Sequence, residues 1–196
     1  MTEKRDAFEK LGELNACARS PQLQTVVSAI GTVIERPDAG PDVTYRTEIA
    51  ASTVLELREH GFTWDDVLAA ALLYPPAAEL LYKPKSTDCI DVDTLAIGAE
   101  VKRAVKALLD EQVEFHTLGF VSPKKELLPA LTYMADGYGR LKFTPQRVKC
   151  QWKHDYAEKL CSAIKELSRQ WSRQTPEYQD LCGYIETESA KYVRTR

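Results

Sequence analysis

Apolar residues recur at three- and four-residue intervals along nearly the whole of this 196-residue chain, and no sustained two-residue alternation takes their place. A pattern of that period gives helices that must bury their stripes against one another, so the expected class is an all-α, single-domain helical bundle. Asp6 to Ala18 places Phe8, Leu11 and Leu14 on one face, and Leu23 to Ile34 continues with Val26, Val27, Ile30 and Ile34. The stretch ERPDAGPDVT that follows, with its prolines, glycine and acids, reads as a loop. Tyr45 to His60 forms the next helix, with Ile49, Ala50, Val54 and Leu57 inward, and Gly61 ends it where a left-handed residue is wanted. Thr63 caps its successor, which carries Asp65 and Asp66 at the end where the helix dipole favours negative charge. The run VLAAALL is apolar nearly all round and marks this helix as the central one, and Pro75-Pro76 is expected to interrupt it.

Beyond a polar loop around Lys83 to Ser86, Asp91 or Asp93 opens an amphipathic helix reaching about Glu111, with Leu95, Ile97, Val101, Val105 and Leu108 inward. Ser122-Pro123 has the form of a cap followed by proline at the first helical position. The helix it introduces, Lys124 to Lys142, carries Leu127, Leu128, Leu131, Tyr133, Met134 and Leu141. Thr144-Pro145 repeats the device ahead of helices over Gln146 to about Arg173 and Pro176 to Tyr192. The organisation expected is a helical domain over residues 1–143 with a helical extension, residues 144–196, packed on it.

Composition narrows the function classes. With 44% hydrophobic and 28% charged residues and a net charge of -3, the chain has enough apolar surface to fold and too little net charge to stay disordered. No run approaches the roughly 18 apolar residues of a bilayer helix, so no membrane partner is expected. The charged start MTEKRDAFEKLGEL lacks the apolar stretch of a secretory signal, which makes the cytoplasm the default location. Cys17, Cys89, Cys150, Cys161 and Cys182 are widely spaced and contain no CxxC pair, so they read as reduced thiols, most of them buried.

The order of signals from Tyr45 to Lys142 resembles the HD phosphohydrolase superfamily, in particular the hydrolase domain of RelA/SpoT-type alarmone enzymes. The matching stretches are YRTEIAASTVLELREHGFTWDDV, AALLYPPAAE, LAIGAEVKRAVKAL and YMADGYGRLK. In that family they correspond to the helix of the first histidine, an ALLHD helix with an acidic pair beyond it, a helix like FGxEVxxLV, and a helix like LADRLxNLR. The resemblance covers about half the chain in consistent order. It implies a metal site of histidines and carboxylates that lowers the pKa of a bound water, but the residues depart from it. The first histidine position falls on Thr47 or Glu48, the HD dipeptide on Tyr74-Pro75, and the acidic pair on Ala78-Glu79; only the last aspartate is kept, as Asp136. Some long bifunctional alarmone synthetases similarly carry FP in place of HD and have an inactive hydrolase domain. The resemblance therefore implies a pseudo-hydrolase with no cofactor, a binding or regulatory module for a nucleotide or a protein partner.

Candidate pocket residues follow from the same motifs. Arg36 lies near the place where the alarmone hydrolases carry a nucleotide-holding basic loop, and Tyr45 and Glu48 belong to the first motif helix. Tyr74, Glu79 and Asp136 occupy ligand positions, and Arg140 and Lys142 stand where a phosphate could meet them, although surface exposure is the commoner fate of such side chains. The alternative is a working phosphohydrolase of the (p)ppGpp type, with Glu48, Glu79 and Asp136 holding Mn²⁺ or Mg²⁺ through oxygen alone.

The three histidines form no metal pair at helical spacing. His60 sits at a helix end where imidazole complements the dipole, and His116 lies in the connection FHTLGF. A literal His154-Asp155 pair has too little chain beyond it for the rest of an HD site. Its segment QWKHDYAEKL reads as a solvated helix face with Trp152, Tyr156 and Leu160 turned inward. From Arg140 to Arg173 basic residues outnumber acidic ones, which offers a third reading, an interaction protein using a basic carboxyl-terminal helix. The overall acidity and the scatter of these charges around the helix argue against nucleic acid as the partner.

Overall fold

The computed structural model describes residues 2–36, 39–81, 90–118, 126–144, 150–171 and 176–193. Among them the chain is all-helical, in the order α1 (Thr2–Cys17), α2 (Pro21–Glu35), α3 (Pro41–Glu59), α4 (Asp65–Leu81), α5 (Ala99–Leu118), α6 (Leu127–Phe143), α7 (Cys150–Trp171) and α8 (Pro176–Ala190). None of the described helices is long and apolar enough to cross a membrane.

Local chemistry sets the helix ends. Ser20 has extended backbone, its Oγ accepts from the Leu23 N–H, and Pro21 opens α2 behind it. Gly61, at φ 86, terminates α3 as its position in the sequence predicts. The loop between α2 and α3 is shorter than the ten-residue stretch expected. Glu35 still belongs to α2, and Pro41, pre-set at a helical φ, starts α3 so that Asp42, Val43 and Thr44 form its first turn. Helix α4 begins at Asp65, which leaves Trp64 rather than Thr63 as the residue ahead of the first turn.

Two expected boundaries are corrected more substantially. Pro75-Pro76 does not interrupt α4, which runs on to Leu81. The prolines cost the backbone donors that residues 75 and 76 would supply. Continued burial offsets that loss, since Tyr74, Ala77, Ala78 and Leu80 all lie in the core. Helix α5 starts at Ala99, not at Asp91 or Asp93, and it extends beyond Glu111 to Leu118, so that His116 is helical. Asp91 instead closes a turn: its Oδ1 accepts from the Asp93 N–H at 3.0 Å, and its carbonyl accepts from Thr94 Oγ1 at 2.8 Å. Gln22 then anchors the end of that segment, accepting from Gly98 N–H at 2.6 Å and donating to Asp66 Oδ1 at 2.8 Å. Helix α6 starts at Leu127 behind Glu126, later than Lys124. The expected loop at Lys83 to Ser86, the Ser122-Pro123 cap and the Pro145 start lie outside the described residues.

Helix α4 packs against α2, α3, α5 and α6, the central place its all-round apolar pattern predicts. One continuous core joins α1 and α2 to α7 and α8, and it takes in Leu14, Ile30, Leu72, Met134, Leu160 and Ile185. The carboxyl-terminal helices are docked through α6, which touches both α7 and α8. Two glycines make that position possible. A methyl group on Gly137 would come within 2.9 Å of Leu160 Cδ1 of α7, and one on Gly139 would overlap Thr53 Oγ1 of α3.

Because Thr53 is buried and its hydroxyl is held by the Ile49 carbonyl at 2.7 Å, Gly139→Ala is expected to destabilise the protein by about 1–3 kcal/mol. The check is the urea unfolding midpoint. Adding Thr53→Ala, which removes the overlapping oxygen, should recover most of the loss.

Candidate functional site

The buried charges Arg46, Glu56 and Asp136 lie at two places on the α3–α6 contact. The first is built on Asp136, which is 6% exposed. Its Oδ1 accepts from the Arg46 guanidinium of α3 at 2.7 Å. Its Oδ2 accepts from Arg140 Nε at 3.0 Å and lies 2.9 Å from a second Arg140 nitrogen, one turn along α6. Arg46 Nε faces Glu79 of α4 at 3.6 Å. Two guanidinium groups and two carboxylates therefore meet where α3, α4 and α6 converge, and their formal charges cancel.

Tyr74 lies beside this group, buried on α4, with half-buried Tyr133 and Tyr156 on α6 and α7. Burial opposes ionisation of the Tyr74 phenol, and the Asp136 charge adds to that, so its pKa lies well above the ordinary value. Burial also pushes the Asp136 carboxyl up, but the charges and hydrogen bonds of Arg140 and Arg46 outweigh it and hold the carboxyl below the usual range. Arg140 resists deprotonation: burial disfavours its charge, and the neighbouring Asp136 more than restores it.

The second group centres on Glu56 of α3. Its Oε1 accepts from Tyr138 and Lys142 of α6 and, at 2.5 Å, from Tyr184 of α8. Burial raises the Glu56 pKa, but the three donors overcome it and leave the carboxyl below its ordinary value. Tyr184 reaches further, to His60 Nδ1 at 3.3 Å, and that ring nitrogen also lies 2.9 Å from the Glu56 carbonyl.

The structure thus brings Tyr74, Glu79, Asp136 and Arg140 together around the Arg46 guanidinium. Among the described residues no three His, Cys, Asp or Glu side chains converge so as to hold an ion. Glu79 and Asp136 face different nitrogens of one guanidinium, and the expected Glu48–Glu79–Asp136 carboxylate set is not assembled. Thr47 is fully buried with its hydroxyl on the Val43 carbonyl at 2.9 Å, while Tyr45 and Glu48 are half-buried. Arg140 pairs with Asp136 and Lys142 with Glu56. Arg36 is the carboxyl cap of α2, where its backbone N–H donates to Val33.

The segment around His154 also differs from the solvated face expected. Trp152 is 38% exposed and stacks on Tyr156 at 5.1 Å, whereas Lys153 is buried and donates to the Thr144 carbonyl at 2.7 Å. His154 Nδ1 pairs with the Tyr192 carbonyl. Of the basic run, Lys159 and Lys165 are exposed, while Arg147, Lys149, Arg169 and Arg173 fall outside the described side chains.

Arg46, Glu56, Tyr138 and Tyr184 are absent from the expectations drawn on sequence. A signal existed for the first two. Arg46 stands three residues after Val43 and four before Ala50, and Glu56 seven after Ile49, so both occupy the buried side of α3. A charge on such a stripe calls for a partner on a facing helix.

The two Asp136 partners give a test of the first group. Asp136→Asn leaves two cations facing a neutral amide and is expected to cost about 3–5 kcal/mol, measured by chemical denaturation. Arg46→Met should cost less, because Arg140 still pairs with the carboxylate. The depressed Asp136 pKa contributes stability that is present above the ordinary carboxyl value of 3.8 and is lost as pH falls through the folded value. The wild type should accordingly lose stability more steeply below about pH 4 than Asp136→Asn does.

Comparison of the chain with family models, with curated proteins and with solved structures gives no match.

Proposed function

We propose that this chain is a catalytically silent helical module with a binding or regulatory role, an HD-like bundle whose metal cradle has become a guanidinium–carboxylate cluster. One observation carries the reading: both oxygens of Asp136 accept from arginines. A carboxylate used in this way has little left to offer a divalent ion, and two fixed positive charges beside it repel one. The retained aspartate thus serves cohesion between helices rather than hydrolysis.

The same replacement leaves a surface on which a nucleotide or a protein partner would be met. Arg140 and Glu79 are each 30% exposed at the rim of the cluster, and Tyr45 and Glu48 lie half-buried on the neighbouring helix. A guanidinium already held by a carboxylate on one edge still presents its other edge to a planar or anionic group.

Metal analysis of the purified protein, together with an assay of guanosine 3′,5′-bis(diphosphate) hydrolysis in added Mn²⁺ or Mg²⁺, tests this function. The expected outcome is neither stoichiometric metal nor turnover. Stoichiometric Mn²⁺ or Mg²⁺ accompanied by turnover that vanishes in Asp136→Ala would overturn the proposal.

A further inference from the structure

A groove of about 680 Å³ opens where the carboxyl end of α3, the start of α4 and the first turns of α8 meet. It is separate from the Asp136 cluster: His60, the carboxyl cap of α3, stands fourteen positions after Arg46, about 21 Å along the helix. Its volume is in the range of small-molecule sites. Buried Leu57, Val67, Leu68 and Leu181 form an apolar floor, and half-buried Phe62 and Trp64 stand at its sides.

The charged side chain that the described lining residues bring to this groove is acidic. Asp180 contributes a carboxylate, and no lysine or arginine is among the described lining residues. His60 Nδ1 lies 2.9 Å from a carbonyl oxygen, which can only accept, so in the neutral ring the proton sits on Nδ1 and Nε2 is left as an acceptor. Tyr184 is consistent with this tautomer: its hydroxyl donates to Glu56 Oε1 at 2.5 Å, so its oxygen is free to accept from Nδ1 at 3.3 Å. The carboxyl end of α3 adds the negative pole of a helix dipole. The starts of α4 and α8 also border the groove; Asp65 and Asp66 offset the positive pole of α4, and Asp180 sits in the second turn of α8. Thr63, the remaining polar lining residue, both donates and accepts.

We infer that this groove is a binding site for a small organic cation, an aryl or alkyl body carrying a primary or secondary ammonium. The apolar floor takes the body. Asp180 and His60 Nε2 accept from the N–H groups, and the faces of Phe62 and Trp64 attract the positive charge. An anionic ligand would meet a carboxylate and a helix carboxyl end, with no lysine or arginine among the described lining residues to compensate. The site does not depend on the proposed loss of hydrolysis, because none of its lining residues belongs to the Asp136 cluster.

Calorimetric titration of the whole chain with phenethylammonium, phenethyl alcohol and 3-phenylpropanoate distinguishes charge from shape. The ammonium should bind most tightly and the carboxylate most weakly. Asp180→Asn, at an exposed position where folding is not at risk, should weaken the ammonium about tenfold and leave the alcohol unchanged. Trp64→Leu, with its fold verified by circular dichroism, should weaken the ammonium as well. Equal or tighter binding of the alcohol or the carboxylate, ammonium binding indifferent to both substitutions, or no binding at millimolar probe would each overturn the assignment.

Discussion

The buried carboxylate of Asp136 organises one end of the contact between α3 and α6. Taking Asp136 out of water costs several kcal/mol after relaxation, and the bundle recovers this only because two guanidinium groups reach both of its oxygens. Arg46 is itself buried, and on its other side it meets Glu79 of α4. The three helices are thereby held in one arrangement: moving any of them by a turn would strand a charge in the core. Burial of hydrocarbon alone does not impose that penalty, since apolar stripes tolerate sliding and repacking much better than an unpaired ion.

The Glu56 group does the same work for the end of the chain. Three donors from two helices converge on one oxygen, and one of them, Tyr184, belongs to α8. Its ring also packs against Phe62 at 5.4 Å and against Tyr138 at 5.8 Å. The carboxyl-terminal helices are therefore fastened by directed bonds as well as by the apolar contacts of Leu160, Ile164, Leu181 and Ile185. Separating them would expose those side chains and leave the Glu56 oxygen short of a donor.

What was legible in the sequence was the periodic part of the problem. The stripes of Val26, Ile30 and Ile34, of Val101, Val105 and Leu108, and of Leu131, Met134 and Leu141 all face the core as their spacing requires. Glycine at position 61 marks a true helix end. Expectations drawn from breakers alone failed, because Pro75-Pro76 sits where tertiary burial outweighs lost backbone bonds, and Pro41 is a helix opener rather than loop material. At the site, the motif order singled out Tyr74, Glu79, Asp136 and Arg140, which do cluster. It missed Arg46 because the motif falls on positions 47 and 48, one and two residues further on and thus about 100° and 200° round the helix. Pairings across helices, such as Glu56 with Tyr184, depend on three-dimensional register and leave no trace in local spacing.

The two polar groups together also specify how α3 and α6 lie relative to each other. Along α3 the buried charges run from positive at Arg46 to negative at Glu56; along α6 the charges facing them run from negative at buried Asp136 to positive at half-buried Lys142. Parallel alignment pairs every charge with its opposite, and the close approach of Gly139 to Thr53 falls between the two pairs. Reversing one helix would set Arg46 against Lys142 and Glu56 against Asp136, like charges in a poorly solvated interface, where repulsion adds to the desolvation cost of each ion. The hydrophobic stripes on these helices carry no such directional information. The eight helices of the described residues have many ways to bury their leucines, and two oppositely signed ion pairs flanking a glycine contact remove the reversed packing of the α3–α6 pair from that set.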